Sequence, residues 1–154
     1  MPSSPSERLA ALGLALPGPP LPRGSYRPAV LAGRYVYVSG QIVSEAGRVL
    51  SPGRVDGAVP LPEARALARR AALQGVSAAA SAAGGLDRLR RAVRVGVYVA
   101  SSEGFFRQPE VADGASELLI ELFGEEGRPA RAAVGVAALP GNAPVEVELL
   151  LETA

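Results

Sequence analysis

Apolar residues recur along this chain at two spacings, and the changes between them divide it into elements. Ala64, Leu67, Ala68, Ala71 and Ala79 fall on one stripe of a 3.6-residue period, with Arg65 and Arg69 on the polar side. This predicts a helix over 62–83. Pro62 suits its first turn, where a missing N–H breaks no bond, and Gly84-Gly85 ends it. Val111, Ala115, Leu118, Leu119 and Leu122, at steps of three and four, predict a second helix over 109–123, stopped by Gly124. Between the helices the period drops to two. Over 88–100, Val93, Val95, Val97 and Val99 are expected on one face, with Ala92, Arg94, Gly96, Tyr98 and Ala100 on the other.

The remaining segments read as strands and turns. Residues 26–40 predict two short strands around Ala32-Gly33-Arg34, and a third is possible near 48–51. Residues 131–139 and 145–152 predict two more, joined by Pro-Gly-Asn-Ala-Pro. Ahead of them, residues 1–24 read as an arm: a short amphipathic helix carrying Leu9, Leu12 and Leu14, then the linker PGPPLPRG. Residues 25–154 form the domain. The order ββ(β)αβαββ implies an α+β fold, a mixed sheet with two main helices on one face. Val145, Val147, Leu149 and Leu151 form one apolar row, while the central strands stay apolar or small on both faces. The uncovered face is therefore expected to meet another subunit.

Composition narrows the chemistry. The chain has 154 residues, 48% of them hydrophobic, enough for one domain with a full core. Cys and His are absent, and all 16 positive charges are Arg. That excludes a thiolate nucleophile, a Cys-based zinc site, a Ser-His-Asp triad, a Lys Schiff base and a Walker A loop. What remains is carboxylate or water chemistry with Arg as anion anchor. No ligand-like carboxylate cluster implies a metal, and no cofactor is expected. A net charge of +1 argues against a nucleic-acid partner. The first residues lack a basic and apolar leader, and the longest apolar tract, 71–85, is too short to span a bilayer. A cytoplasmic protein without membrane contact is expected.

Several motifs have ordinary readings. Gly75-Val76-Ser77-Ala78-Ala79 resembles a nucleophile elbow, but it lies within a helix and no His can activate the serine. Arg88, Arg90, Arg91 and Arg94 read as a solvated edge, and Glu125-Glu126 as a helix-end loop facing solvent. Two features are less ordinary. Arg131 opens an otherwise uncharged segment, either as an exposed strand-end residue or as a guanidinium that meets an anion. Glu146 and Glu148 alternate with Val145 and Val147, the pattern of a solvated face unless the face is covered.

Particular motifs then carry a resemblance. Tyr35-Val36-Tyr37-Val38-Ser39-Gly40-Gln41-Ile42 resembles the strand-then-SGQI signature of the RidA/YjgF family. Residues 128–140, RPARAAVGVAALP, resemble its RPARxxVxVxxLP signature, followed by the V-E-V-E strand at 145–148. Gly24-Ser25-Tyr26 sits where its GPY turn belongs, and Glu121-Leu122-Phe123-Gly124 resembles its helix-ending YFG-type segment.

The resemblance, running from about residue 24 to 152, implies a chorismate-mutase-like fold, a homotrimer and sites between subunits. Characterised members hydrolyse enamine and imine intermediates such as 2-aminoacrylate to 2-oxo acids and ammonia, so a small imino or 2-oxo acid is the implied ligand. Others are described as endoribonucleases, translation inhibitors or ligand sensors, which leaves a non-catalytic carboxylate binder as the alternative. By position, Arg131 matches the family's carboxylate clamp, Glu146 its water-orienting Glu, and Tyr26 and Ser39 its pocket Tyr and Ser. Gly40 supplies a backbone amide. Ala133 stands where many deaminases have Cys, a position that contributes largely through its backbone. The extension and the PEVADGASELL helix resemble a longer branch of the family. Asp113 in that helix reads as an exposed residue or, alternatively, as a group on the pocket rim.

Overall fold

A computed structural model describes residues 3–154. In chain order its elements are α1 (Pro5–Ala11), β1 (Ala29–Ala32), β2 (Tyr35–Gln41), β3 (Ser44–Glu45), β4 (Arg48–Val49), α2 (Leu61–Ala83), β5 (Leu89–Ala100), α3 (Gln108–Phe123), β6 (Ala130–Val136) and β7 (Val145–Thr153). The five long strands form one sheet in the order β1-β2-β7-β5-β6, parallel only between β5 and β6 and antiparallel elsewhere. The helices α2 and α3 cover one face, which makes the architecture the expected α+β layer.

Small residues set how closely those layers approach. The side of α2 that faces the core carries Ala64, Ala68, Ala71, Ala72, Gly75 and Ala79, all buried. A Cβ on Gly75 would lie 2.9 Å from Leu149 Cδ1 on β7, and one on Gly114 of α3 would lie 2.0 Å from the Arg65 carbonyl oxygen of α2. Gly114 permits a helix–helix backbone contact that any side chain would block, and Gly75 makes room for the Leu149 side chain. Leu118, Leu119, Leu122, Val95, Val97, Val147 and Leu151 fill the space between, each fully buried. Outside, Arg65–Glu117 at 2.6 Å and Arg69–Glu121 at 2.7 Å join α2 to α3 as exposed rungs that add little. At its end, α2 stops on Gly84 in the left-handed region, φ 88°.

The N-terminal arm lies across this helix layer. Ser4 caps α1 in a capping box with Glu7, Leu9 is buried, and α1 packs on α3. Ser6 donates from its N–H and hydroxyl to Asp87, at 2.9 and 2.6 Å, and those bonds hold the Asp87 carboxyl below its ordinary pKa. Further on, Ser77 Oγ donates to the Pro17 carbonyl at 2.5 Å, so this serine tethers the arm.

Three local expectations are corrected. The strand near 48–51 is only Arg48–Val49, paired with Ser44–Glu45 in a hairpin outside the main sheet. β6 ends at Val136 rather than Leu139, ahead of a 3-10 turn in which Gly141 has φ 65°. Ala92 does not share a face with Arg94. Register slips at a bulge between them, so Ala92 pairs with Leu151 and enters the core, while Arg94 pairs with Leu150 on the open face.

Candidate functional site

Strand register decides which face each candidate residue occupies, because neighbours paired across a sheet share a side. Val95 and Val97 are core residues, so their partners Arg131 and Ala133 point toward the helices. Val134 pairs with Tyr98, and Tyr98 pairs with Glu146, which places these three on the open face. Arg131 and Glu146 therefore stand on opposite faces of the sheet, with β5 between their strands. One chain does not bring them together around a small ligand.

Arg131 does not end in solvent. Its Nη1 donates to Asp113 Oδ1 at 2.7 Å and to Ser116 Oγ at 3.2 Å, both on α3. The guanidinium has met its anion within the chain, with Arg131 and Asp113 side chains 28% and 40% exposed. Ser116 Oγ in turn donates to the Ala112 carbonyl at 3.3 Å, which leaves its lone pair for Arg131. Asp113 is the partner that sequence reasoning left between two readings. The three-residue step from Asp113 to Ser116 puts both on one helix face, but nothing local shows that β6 arrives beside it.

The open face holds the second group. β2 bulges between Val38 and Gln41, so Ser39 and Gly40 both oppose Glu148 of β7. The absence of a side chain at Gly40 makes room for Glu146, since a Cβ there would lie 2.0 Å from Glu146 Oε1. Glu146 is half-buried, with no hydrogen bond or ion pair to its carboxylate among the described residues. Burial first, and the Glu148 charge second, push its pKa above the ordinary carboxylate value. Beside it, Tyr98 Oη donates to Glu148 Oε1 at 2.5 Å and Arg94 Nη1 approaches the same oxygen at 3.4 Å. That hydrogen bond, followed by burial, raises the Tyr98 pKa. Gly96 leaves the space for Glu148, whose Oε1 would be 2.9 Å from a Cβ there.

The remaining candidates have local partners. Ser39 Oγ donates to the Arg27 carbonyl at 2.6 Å and Ser39 N–H to the Pro28 carbonyl at 2.9 Å. Its hydroxyl thus ties down the segment before β1 that carries Tyr26. Tyr26 is 49% exposed, and its hydroxyl accepts from the Arg23 N–H at 3.2 Å. Ala133 is half-buried against the core. Two of the three arginines of β5 meet carboxylates: Arg94 approaches Glu148, and Arg91 pairs with Glu126 and, at 3.8 Å, with Glu152, which Arg34 also meets at 2.8 Å, while Arg90 is exposed. Among the described residues no group of three or more acidic side chains is placed to hold a metal ion, and no helix is long and apolar enough to cross a membrane.

Comparison with known proteins adds to this geometry. The profile of the YjgF/chorismate mutase-like family matches residues 6–153. Protein TCP17 of Trypanosoma cruzi is 43% identical over 94% of this chain and 91% of its own. A 2-iminobutanoate/2-iminopropanoate deaminase of Dermatophagoides farinae is 32% identical over 90% of this chain and 93% of its own. The crystal structure of an Agrobacterium tumefaciens protein of unknown function aligns with a TM-score of 0.86 at 37% identity, over 97% of this chain and 91% of that one. With the profile spanning nearly every residue, and the SGQ and RPAR strands both in the sheet where the site residues lie, the chain belongs to the YjgF/RidA family.

Proposed function

We propose that this protein hydrolyses reactive 2-imino acids, and the enamines that tautomerise to them, to 2-oxo acids and ammonia. The observation that carries the reading is the half-buried Glu146 carboxyl, raised in pKa, without an ion-pair partner among the described residues, and facing the Gly40 backbone. A carboxylate whose pKa is raised is a stronger base than an exposed one. Relatedness to a 2-iminobutanoate/2-iminopropanoate deaminase supports the same chemistry.

The reaction demands little of the protein. Water adds to C2 of the iminium, the carbinolamine loses ammonia, and the C=N bond becomes C=O. Glu146 takes one proton from water as it attacks and returns it to the departing nitrogen, and the carbinolamine hydroxyl releases its own proton to solvent as the C=O forms. Arg131 holds the carboxylate through its remaining N–H donors, with planar geometry that Lys would not reproduce. Most of the acceleration is then positioning of an already electrophilic substrate. Arg131 and Glu146 on opposite faces of one sheet favour a homotrimer, in which Arg131 of one copy approaches Gly40, Glu146 and Tyr26 of the next. The apolar exposure of Tyr35, Tyr37, Val30 and Val134 on the open face supports such an assembly.

The test generates 2-aminoacrylate or 2-iminobutanoate in situ and follows 2-oxo acid formation. Wild-type protein accelerates the reaction, and Arg131→Ala lowers kcat/KM by about 100-fold or more. Folded wild-type protein that gives no acceleration overturns the reading. Glu146→Gln separates enzyme from binder: an enzyme loses rate while carboxylate affinity stays within about threefold.

A further inference from the structure

We infer that Asp113 is a specificity-determining residue, which makes the Arg131 site a reader of ligands carrying a cationic nitrogen beside their carboxylate. The inference rests on the proposed role of Arg131 and names the charge state of the substrate it selects. Three observations carry it. Asp113 Oδ1 lies 2.7 Å from Arg131 Nη1, so the guanidinium presents a fixed, neutral dipole rather than a bare positive charge. Both side chains remain partly exposed, and the only hydrogen bonds from Arg131 to described residues use Nη1, leaving Nε and Nη2 to donate elsewhere.

The third observation is that the guanidinium of the pair is braced a second time. Ser116, one turn along α3, braces the same Nη1, and its own hydroxyl donates to the Ala112 carbonyl. Gly114, between them in sequence, seats α3 directly against the Arg65 carbonyl, a close packing that fixes the level at which Asp113 faces β6. A plain carboxylate approaching Arg131 is attracted by the guanidinium and repelled by Asp113. A 2-imino acid protonated on nitrogen meets complementary charge at both ends. Its product, a 2-oxo acid, keeps the anion and loses the cation. The same pair that accepts substrate therefore disfavours product.

Binding of two near-isosteric ligands tests this on the full chain. By calorimetry, wild-type protein is expected to bind 2-aminobutanoate, a zwitterion, at least about tenfold tighter than 2-hydroxybutanoate, a simple anion. Asp113→Asn is expected to collapse or invert that ratio, mainly by tightening the hydroxy acid, and to strengthen inhibition by 2-oxobutanoate about tenfold. Arg131→Ala is expected to lose both ligands. Wild-type protein that binds the two ligands equally, or neither, overturns the inference without any variant. A folded Asp113→Asn protein with the wild-type ratio also overturns it, and would assign the ion pair to holding α3 on β6. Should Asp113→Asn not fold, Ser116→Ala keeps the carboxylate, and the inference requires its ratio to stay within about threefold of wild type. A shifted ratio in a protein that fails to hydrolyse imines would leave the inference standing and remove the deaminase reading.

Discussion

Arg131 and Glu146 begin from the same sequence pattern, a charge set among small or apolar strand residues, and reach opposite electrostatic ends. On the helix side, Arg131 finds Asp113 and Ser116 within its own chain. On the open side, Glu146 lies over Gly40 with Glu148 as its charged neighbour, and burial raises its pKa. The first region has its counter-ion within the chain, with Nε and Nη2 of Arg131 left to donate. The second is left poised, because Arg94 is occupied with Glu148. A charge that folding leaves without a counter-ion is where the proposed ligand chemistry is to be tested.

The comparison can be broken most forcefully from the helix side. Gly114→Ala puts a Cβ about 2.0 Å from the Arg65 carbonyl oxygen, and backbone cannot swing aside as a side chain can. It is expected to destabilise the protein by about 3 kcal/mol, a fall in Tm of about 6–12 °C, read by thermal denaturation. A Tm within about 2 °C of wild type would show that α3 is free to shift, and with it Asp113.

Gly40→Ala makes the same addition on the open side with the opposite expectation. The displaced atom is the end of a flexible Glu146 side chain, so Tm should move by no more than about 2 °C. Turnover of 2-iminobutanoate should nevertheless fall about tenfold, since the carboxyl loses its seat. Equal loss of stability and activity would mean that Gly40 serves the sheet rather than the site.

Tyr98→Phe removes the hydroxyl that donates to Glu148 and leaves Arg94 as its partner. Urea denaturation should register a loss of about 1 kcal/mol. No loss would show that solvent replaces this bond freely.

On stability, Glu146→Gln has the smallest effect and a definite sign. A carboxyl whose folded pKa is raised favours the protonated folded state, so its ionisation destabilises the fold as pH climbs through that pKa, and the penalty is fully present above it. Glu146→Gln should therefore be slightly more stable than wild type near neutral pH, read as a higher urea midpoint. The gain should vanish by about pH 4, below the ordinary Glu value. A gain that persists in acid would place its origin in packing.

Much of this molecule was written in its sequence. The stripe from Ala64 to Ala79 and the row from Val111 to Leu122 gave both long helices, because burial of one helical face requires that spacing and little else reproduces it. Gly84 and Gly124 marked their ends, since only glycine adopts those backbone angles without strain. The element order put both helices on one face of the sheet. Arg131, Glu146, Tyr26, Ser39 and Gly40 were singled out by the family resemblance, and their roles rest on the proposal.

The tertiary structure decided the rest. Period-two alternation cannot anticipate a bulge, so the true face of Ala92 appeared only once β5 was paired with β7. Asp113 lies 18 residues from Arg131, and their ion pair exists because β6 runs parallel to β5 and returns beneath α3. The opposite placement of Arg131 and Glu146 has the same origin. Sequence determines which side chains alternate along one strand, whereas register against neighbouring strands determines which charges meet, and register is settled by the packing of the whole sheet.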